Sequence, residues 1–291
     1  MTSHLRGFCY MIAATLAAST CFGVTLVNTF NPARGALNGI AFDPVSGNLF
    51  IHPSFDASIR EYTPGGQFVD TILHPGLSTN DSDYDFTSVA TIINGVSVPA
   101  NTLLVTNGER DPQMLFAINK DTGAVLATLQ LQEHIGQLTG GSYDPIRNEL
   151  VAMDWSNDVI IRFNINDGTQ VDNFSVGPDW DAYYSDVAVE PGGFLVLVSS
   201  SQNTIRILNP NGNFITDVDV GALGISGMSG IALDPNSHMA YISSTNGNVY
   251  QIDGLGEAVP EPTTWALMVI GGGMSGLFFY RRSRKKQVTE L

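Results

Sequence analysis

The hexapeptide Gly39-Ile40-Ala41-Phe42-Asp43-Pro44 returns almost unchanged as Gly230-Ile231-Ala232-Leu233-Asp234-Pro235, and this repetition is the strongest indication of the fold. Related stretches lie between these two copies, at residues 141–145 and 186–191. We expect a weaker copy at residues 88–93. Self-similarity along a chain is typical of proteins built from structural repeats, so the fold is best analysed one repeat at a time.

Each copy begins a unit of four short β-rich runs. The second run is rich in apolar and β-branched residues, as in residues 194–199. Turn sequences separate the later runs, for example Asn166-Asp167-Gly168 and Asn211-Gly212, and Asp-Gly and Asn-Gly pairs supply the positive φ angles of tight hairpins. Four hairpin-connected strands per repeat predict a β-propeller, with one blade per unit.

The two ends of the repeat array complement each other. The last unit breaks off after residues 249–253, without a fourth run, whereas an unassigned run at residues 24–30 resembles the fourth runs of the other units. An N-terminal strand that completes the last blade would close the ring and cover an exposed sheet edge. We therefore predict an all-β, five-bladed propeller over residues 24–256. The alternative is a six-bladed ring with a further blade between Pro75 and Ala100.

The repeated motif resembles NHL-like propellers and the related gluconolactonase-like group. That resemblance implies a divalent metal held by Glu, Asn and Asp around a central channel. Asn38 and Asp186 stand where two of these ligands are expected, but residues 36–39 provide no glutamate for the third. The resemblance therefore provides a rival functional hypothesis, a metal-dependent hydrolase or lactonase.

The N-terminus has the pattern of a secretory signal peptide over residues 1–23. Arg6 precedes a short apolar segment at residues 8–18, and small residues follow, with cleavage expected after Ser19 or after Gly23. Lipidation at Cys21 is the alternative. The chain has 2 cysteines, Cys9 and Cys21, and both lie in this leader, so the exported domain contains no disulfide.

The C-terminus carries three segments in a fixed order. Val259, Pro260, Glu261 and Pro262 end a linker over residues 257–262, and the uncharged residues 263–280 follow. Eighteen helical residues at about 1.5 Å each span roughly 27 Å, enough for a bilayer core. A basic tail at residues 281–291 completes the chain, with the cluster Arg281, Arg282, Arg284, Lys285 and Lys286. Basic residues remain in the cytoplasm, so we predict a transmembrane helix with its C-terminus inside.

This ending resembles the PEP-CTERM sorting signal of Gram-negative bacteria. The resemblance implies export, temporary anchoring in the inner membrane, and processing near the Pro-Glu-Pro segment by an exosortase-type enzyme. The chain would then reach the cell surface or the extracellular medium. An ordinary anchor that no enzyme processes is the alternative, and it would leave a membrane-bound periplasmic scaffold.

The charge of the exported part restricts its partners. Residues 24–280 contain 7 Arg and Lys against 27 Asp and Glu, a net charge of −20. Such a surface repels phosphate backbones, so we expect no nucleic-acid partner.

Carboxylates and aromatic residues occur together immediately before the fourth motif copy. Aromatic rings beside carboxylates suit stacking on sugar faces with hydrogen bonds to hydroxyl groups. We therefore predict a ligand-binding surface, for which extracellular polysaccharide is the expected partner, at Asp179, Trp180, Asp181, Tyr183, Tyr184 and Asp186. The alternative is an ordinary loop corner.

Evidence for a metal or for catalysis is weaker. Asp81, Asp83 and Asp85 alternate as calcium ligands often do, but an EF-hand loop would require Gly and Glu where Phe86 and Ile92 stand. His52, His74, His134 and His238 are scattered, and nucleophile or dinucleotide motifs are lacking. We expect no cofactor, with Ca²⁺ or another divalent cation as the alternative. The sequence thus favours a non-catalytic binding or structural protein.

Overall fold

The protein forms a closed ring of five β-sheets. A computed structural model describes residues 23–32, 35–54, 56, 58–73, 84–108, 111–132 and 136–255. These residues form five four-stranded antiparallel sheets. The first strand of each sheet contacts the first strands of both neighbouring sheets, so these strands form a cycle around a central axis. The predicted five-bladed β-propeller is confirmed.

The blades follow one another along the chain, each numbered from its innermost strand outward. Blade 1 contains β2 (Leu37–Phe42), β3 (Leu49–Pro53), β4 (Ser58–Tyr62) and β5 (Phe68–Leu73), and blade 2 contains β6 (Tyr84–Phe86), β9 (Leu103–Thr106), β10 (Met114–Ile118) and β11 (Val125–Gln130). Blade 3 contains β12 (Leu138–Asp144), β13 (Glu149–Asp154), β14 (Val159–Asn164) and β15 (Gln170–Ser175). Blade 4 contains β16 (Ser185–Val189), β17 (Leu195–Ser199), β18 (Thr204–Leu208) and β19 (Phe214–Asp219), and a short 3-10 helix (Gly221–Leu223) leads to blade 5.

Blade 5 combines both ends of the propeller. It contains β20 (Met228–Leu233), β21 (Ala240–Ser244), β22 (Val249–Asp253) and, as its outermost strand, β1 (Thr25–Phe30). β1 pairs antiparallel with β22 from Thr25 opposite Asp253 to Phe30 opposite Val249. The predicted closure by the N-terminal strand is confirmed.

Blade 2 departs from the predicted repeat. Its innermost strand is β6, and the expected copy at residues 88–93 instead leads into an inserted hairpin of β7 (Thr91–Ile93) and β8 (Val96–Val98). Ile93 and Val98 of the hairpin are buried against blades 2 and 3. The prediction for residues 88–93 is wrong because the hairpin has the same alternation of apolar residues as an inner strand. No sixth blade occupies the described part of residues 75–100, which is residues 84–100.

The core consists of apolar layers between the blades. Five buried clusters are found in the described residues, and each joins two neighbouring blades. The cluster around Leu37, Ile40 and Tyr241 joins blade 5 back to blade 1. Because every blade buries both faces against its neighbours, the ring closes through burial as well as through strand pairing.

The repeated motif has two structural tasks. Its glycines permit close approach of innermost strands: a Cβ on Gly230 in blade 5 would collide with the backbone carbonyl oxygen of Asn38 in blade 1. Its acids close the next turn, as where Asp144 Oδ1 accepts the backbone N–H groups of Ile146 and Arg147. The motif therefore serves both the packing of the innermost strands and the turn that follows each of them.

The predicted leader, linker, transmembrane helix and basic tail lie outside the described residues, except for Gly23. Within residues that the structure describes, no helix is long and apolar enough to cross a membrane. The described chain ends at Leu255, two residues after the last strand of the ring.

Candidate functional site

Loops on one face of the ring bring the predicted ligand-binding residues together. We call this the entry face, since the innermost strands begin there, and the opposite one the exit face. The connection from β15 to β16 crosses the entry face, as do the turns after β13 and after β17. These three turns meet where blades 3 and 4 adjoin.

Four of the six predicted residues lie at or near this surface. Asp179, Asp181 and Tyr183 are exposed, the last at 43%, and Tyr184 is half-buried. Tyr184 has a φ of 42°, which is uncommon for a residue other than glycine. Consecutive residues of an extended strand point to opposite sides, and this departure from extended geometry accompanies the contact between the two consecutive tyrosine rings.

The tyrosines pack against Trp155, which the turn after β13 supplies. The Tyr183 ring lies edge-on to Trp155 at 5.4 Å and to Tyr184 at 4.5 Å between centroids. The Tyr184 ring is nearly parallel to that of Trp155, at 6.4 Å and 9°. We call Trp155, Tyr183 and Tyr184 the aromatic platform. Edge-to-face pairs of this kind are favourable beyond the area they bury.

Hydrogen bonds fix the turns beneath the aromatic platform. Asp158 Oδ1 accepts the N–H of Ala182 at 2.8 Å, which ties the turn after β13 to the β15–β16 connection. From the other side, the buried Ser199 hydroxyl lies 2.6 Å from the carbonyl oxygen of Asp181 and 3.0 Å from that of Tyr183. The platform is therefore held by blade 3 and by blade 4.

The other two predicted residues are directed inward. Trp180 is 3% exposed and packs in the apolar layer between blades 3 and 4, with the Arg206 guanidinium 5.8 Å from its ring. Asp186 is 1% exposed, and its carboxylate accepts the backbone N–H groups of Val187 and of Ile231 in blade 5. The structure thus separates Trp180 and Asp186 from the surface that the other four residues share.

A second candidate site lies in the central channel. A cavity of about 40 Å³ opens between the innermost strands, among them Asp85, Ser142 and Val189. This volume accommodates a few water molecules at most. Asp85 Oδ2 accepts the Ser142 hydroxyl at 2.8 Å and the Tyr143 N–H at 2.7 Å, while its Oδ1 accepts the Phe86 N–H at 2.7 Å.

Burial makes Asp85 unusual among the described acids. Desolvation raises its pKa to about 6, although hydrogen bonds from Tyr143, Ser142 and Phe86 favour the ionised form. Asp85 is half-buried and lines the channel cavity, so the residue is not completely shielded from water. Chemically, such a group can exchange a proton near pH 6, while its three donors keep it attached to blades 2 and 3.

The described residues do not fit the metal centre that gluconolactonase-like propellers imply. They contain no group of three or more His, Asp, Glu or Cys side chains that could hold an ion. Asn38 Oδ1 accepts the Ser54 hydroxyl at 2.6 Å, and both oxygens of Asp186 accept backbone N–H groups. His52 is buried, with its Nε2 2.9 Å from the carbonyl oxygen of Asp56, and His238 is exposed. Asp81, Asp83, His74 and His134 lie outside the described residues.

The described cations are all used within the protein. Arg60, Lys120, Arg147, Arg162 and Arg206 each lie within 3.4 Å of a carboxylate. Arg162 is the most buried, and it bridges Asp144 and Glu149 at 2.9 and 3.0 Å. Burial raises the pKa of Asp144, but hydrogen bonds from Arg162 and Arg147 outweigh it, so this pKa is lowered overall.

Sequence reasoning missed Trp155 and Ser142. Trp155 belongs to Asp154-Trp155-Ser156-Asn157-Asp158, a turn that the repeat register places on the same face as the connection before the next innermost strand. That register was available in the sequence. Ser142 was visible only as a variant of the alanine in the repeated motif, with no sign of its bond to Asp85.

Comparisons with known proteins bear on the C-terminal motif and on the propeller fold separately. Residues 258–285 match the family model described as the PEP-CTERM protein-sorting motif. The sequence therefore ends in a PEP-CTERM motif, as predicted. A comparison with curated proteins gives no significant match.

Solved structures resemble the propeller at low sequence identity. A glutaminyl cyclase from Myxococcus xanthus aligns with a TM-score of 0.57 and 13% identity, covering 79% of this chain and 95% of that one. A gluconolactonase from Xanthomonas campestris aligns with a TM-score of 0.51 and 11% identity, covering 77% of this chain and 89% of that one. At such identities the likeness establishes the fold and not the activity.

Proposed function

We propose that this chain is an exported β-propeller that an exosortase-type enzyme processes, and that it acts without catalysis as a binding or structural protein. Its destination would be the cell surface or the extracellular polysaccharide matrix. The observation that carries the proposal is the PEP-CTERM match at residues 258–285, which begins five residues after the last strand of the closed ring. The motif implies export and an anchored C-terminus before processing.

The proposed layout follows from these boundaries. Residues 1–23 would be removed as a signal peptide, residues 24–256 would form the propeller, and residues 257–262 would present the Pro-Glu-Pro segment outside the membrane. Residues 263–280 would span the membrane, with residues 281–291 in the cytoplasm. Prolines cannot continue a regular hydrogen-bond ladder, so an extended segment at Pro260 and Pro262 would be accessible to a processing enzyme.

The proposal includes no catalytic step. The fold likeness to a gluconolactonase would favour a hydrolase, but the donors that the described residues place around the channel do not fit a metal centre. The channel cavity of about 40 Å³ is also smaller than the pockets that usually hold small-molecule ligands, which are roughly 300 to 1,000 Å³.

Intact mass spectrometry on protein from the native host tests the proposal. Membrane and medium fractions are analysed separately for the wild type, for Glu261→Ala within the motif and for Glu257→Ala just before it. We expect wild-type and Glu257→Ala protein in the medium, each lacking the mass C-terminal to about Pro262. Glu261→Ala should accumulate at full length in the membrane. A full-length wild-type chain confined to the membrane would contradict processing and favour an anchored periplasmic scaffold.

A further inference from the structure

We propose that the aromatic platform of Trp155, Tyr183 and Tyr184 binds a neutral polysaccharide, with Asp181 beside it as a hydrogen-bond acceptor. This inference rests on the proposed function and deepens it, because it names the ligand class and the surface that binds it. The platform draws its residues from blades 3 and 4, so its geometry depends on the assembled ring.

The exposed ring of the aromatic platform has the chemistry that sugar recognition requires. Tyr183 is 43% exposed, while its contacts with Trp155 and Tyr184 are edge-to-face at 81° and 74°. Edge-to-face packing on neighbouring rings restrains the Tyr183 ring and leaves it accessible to solvent. A pyranose ring presents apolar C–H groups on its faces, and a tyrosine offers a large amphipathic contact area at a low cost in side-chain entropy.

A carboxylate acceptor adjoins this ring. Asp181 is exposed, and its Oδ1 accepts the N–H of Tyr183 at 3.1 Å. Among the described residues, its Oδ2 forms no hydrogen bond and no ion pair. A carboxylate oxygen next to an aromatic ring can accept hydroxyl groups of a stacked sugar, and hydrogen bonds to charged groups are stronger than neutral ones.

The aromatic platform is organised before any ligand arrives. Asp158 holds the N–H of Ala182, and the Ser199 and Ser200 hydroxyls donate to the carbonyl oxygen of Tyr183 at 3.0 and 2.8 Å. A binding surface whose loops are already fixed loses less conformational entropy on binding. Hydrogen-bonded loops of this kind are therefore suited to binding a ligand at a low entropic cost.

Charge determines which polysaccharides fit. All described Lys and Arg side chains are paired with carboxylates, and residues 24–280 carry a net charge of −20. A polyanion would meet repulsion at this surface, with no unpaired described cation to bind it. Neutral polysaccharides avoid this cost, so we assign the aromatic platform to them.

Affinity gel electrophoresis of the full-length chain tests the inference. The chain is kept in a polyoxyethylene detergent, which carries no sugar, and run through gels containing laminarin, dextran, galactomannan or alginate. The variants are Tyr183→Ala, Tyr183→Phe and, as a matched control, Phe68→Ala, which removes an aromatic side chain 56% exposed on blade 1. Thermal unfolding of each variant verifies that the ring remains folded.

We expect at least one neutral polysaccharide to retard the wild type. Tyr183→Ala should weaken this affinity by about tenfold, in line with the loss of roughly one favourable ring contact. Tyr183→Phe should keep most of the affinity because the ring remains, and Phe68→Ala should match the wild type. Loss of retardation in Tyr183→Ala alone would support the aromatic platform as the site.

Three results would overturn the inference: no retardation by any neutral polysaccharide, equal retardation of Tyr183→Ala and wild type, or stronger retardation by alginate. None of them would bear on processing, which intact mass measures independently. A processed, exported chain that fails these binding tests would retain the structural role within the proposed function and lose the polysaccharide site. A chain that binds laminarin but is never processed would retain the polysaccharide site and contradict the processing step of the proposed function.

Discussion

At the scale of single residues, Asp85 shows how a channel-lining acid can serve the ring at a cost in stability. Its carboxylate joins blade 2 to blade 3 through Ser142 and Tyr143, and the Ser142 hydroxyl oxygen also accepts the N–H of Val189 in blade 4. Three adjacent blades are thus connected through one carboxyl and one hydroxyl group. The cost is desolvation of the charge, which raises the pKa of Asp85 to about 6.

The pH dependence of stability should reveal this cost. A carboxyl with a pKa of about 6 in the folded state and 3.8 when unfolded holds its proton more tightly in the folded protein. Its stabilising contribution is therefore complete below about pH 3 and is lost as the pH rises through 6, a change of about 3 kcal/mol. We expect the free energy of unfolding of wild type, relative to Asp85→Asn, to fall by about this amount between pH 3 and 7, as measured by urea denaturation.

Ser142→Ala provides the matched variant for that measurement. It removes a hydrogen bond that favours the ionised carboxylate, so the pKa of Asp85 should rise further and the fall in stability should move to higher pH. A difference between wild type and Asp85→Asn that does not vary with pH would show that Asp85 titrates normally.

Residue chemistry was only partly readable from the sequence around the entry face. The run from Asp179 to Asp186 mixes acids with aromatic rings, which the sequence shows directly, but local sequence does not determine which of these side chains face solvent. Trp180 turns into the layer between blades 3 and 4, and Asp186 binds a backbone N–H of blade 5. Both outcomes depend on neighbouring blades, which local patterns do not describe.

At the scale of elements, β1 holds the ring closed. It is the outermost strand of blade 5, and its partner β22 is the last strand that the structure describes. All six of its side chains are exposed or half-buried, so the contribution of β1 comes largely from strand pairing and from covering the edge of β22.

Removing residues 24–30 should therefore destabilise the ring without removing its core. We expect the free energy of unfolding to fall by at least about 3 kcal/mol, since several ladder hydrogen bonds at roughly 0.5 to 1.5 kcal/mol each are lost. A synthetic peptide of residues 24–31 added in trans should restore stability in thermal denaturation, whereas a scrambled peptide should not. Unchanged stability after the deletion would mean that the five apolar layers close the ring alone.

Element prediction succeeded where the repeat was well kept and failed in blade 2. The closure of the ring by the N-terminal strand could be predicted because β1 resembles the other outermost strands in sequence. In blade 2, Thr87 occupies the position at which the other units have Asp or Glu followed by Pro. The equivalence is shown by hydrogen bonding: the Thr87 N–H donates to the carbonyl oxygen of Thr102, as the Asp43 N–H donates to that of Asn48. Without the acid and the proline, the innermost strand Tyr84–Phe86 carried no recognisable motif, and the hairpin after it resembled a strand.

At the scale of the whole molecule, an acidic ring is joined to a short basic end. The propeller region carries almost all of the negative charge, while Arg281, Arg282, Arg284, Lys285 and Lys286 lie within eleven residues of the C-terminus. This asymmetry suits a chain whose main part is exported and whose end stays inside, because clustered Lys and Arg resist translocation. The basic cluster would thereby hold the chain in the membrane while the Pro-Glu-Pro segment is processed.

Neutralising the cluster should uncouple export from processing. With all five residues replaced by Gln, residues 263–280 lose their stop signal, and we expect chains to pass into the periplasm or medium with the tail still attached, as intact mass would show. A control in which Arg281, Arg282 and Arg284 become Lys keeps the charge and should be processed like the wild type. If the Gln variant is still processed at the wild-type level, the apolar segment and the Pro-Glu-Pro motif are sufficient, and the basic residues do not set the orientation. Because the altered residues lie beyond the closed ring, thermal unfolding of the propeller should be the same in all three proteins.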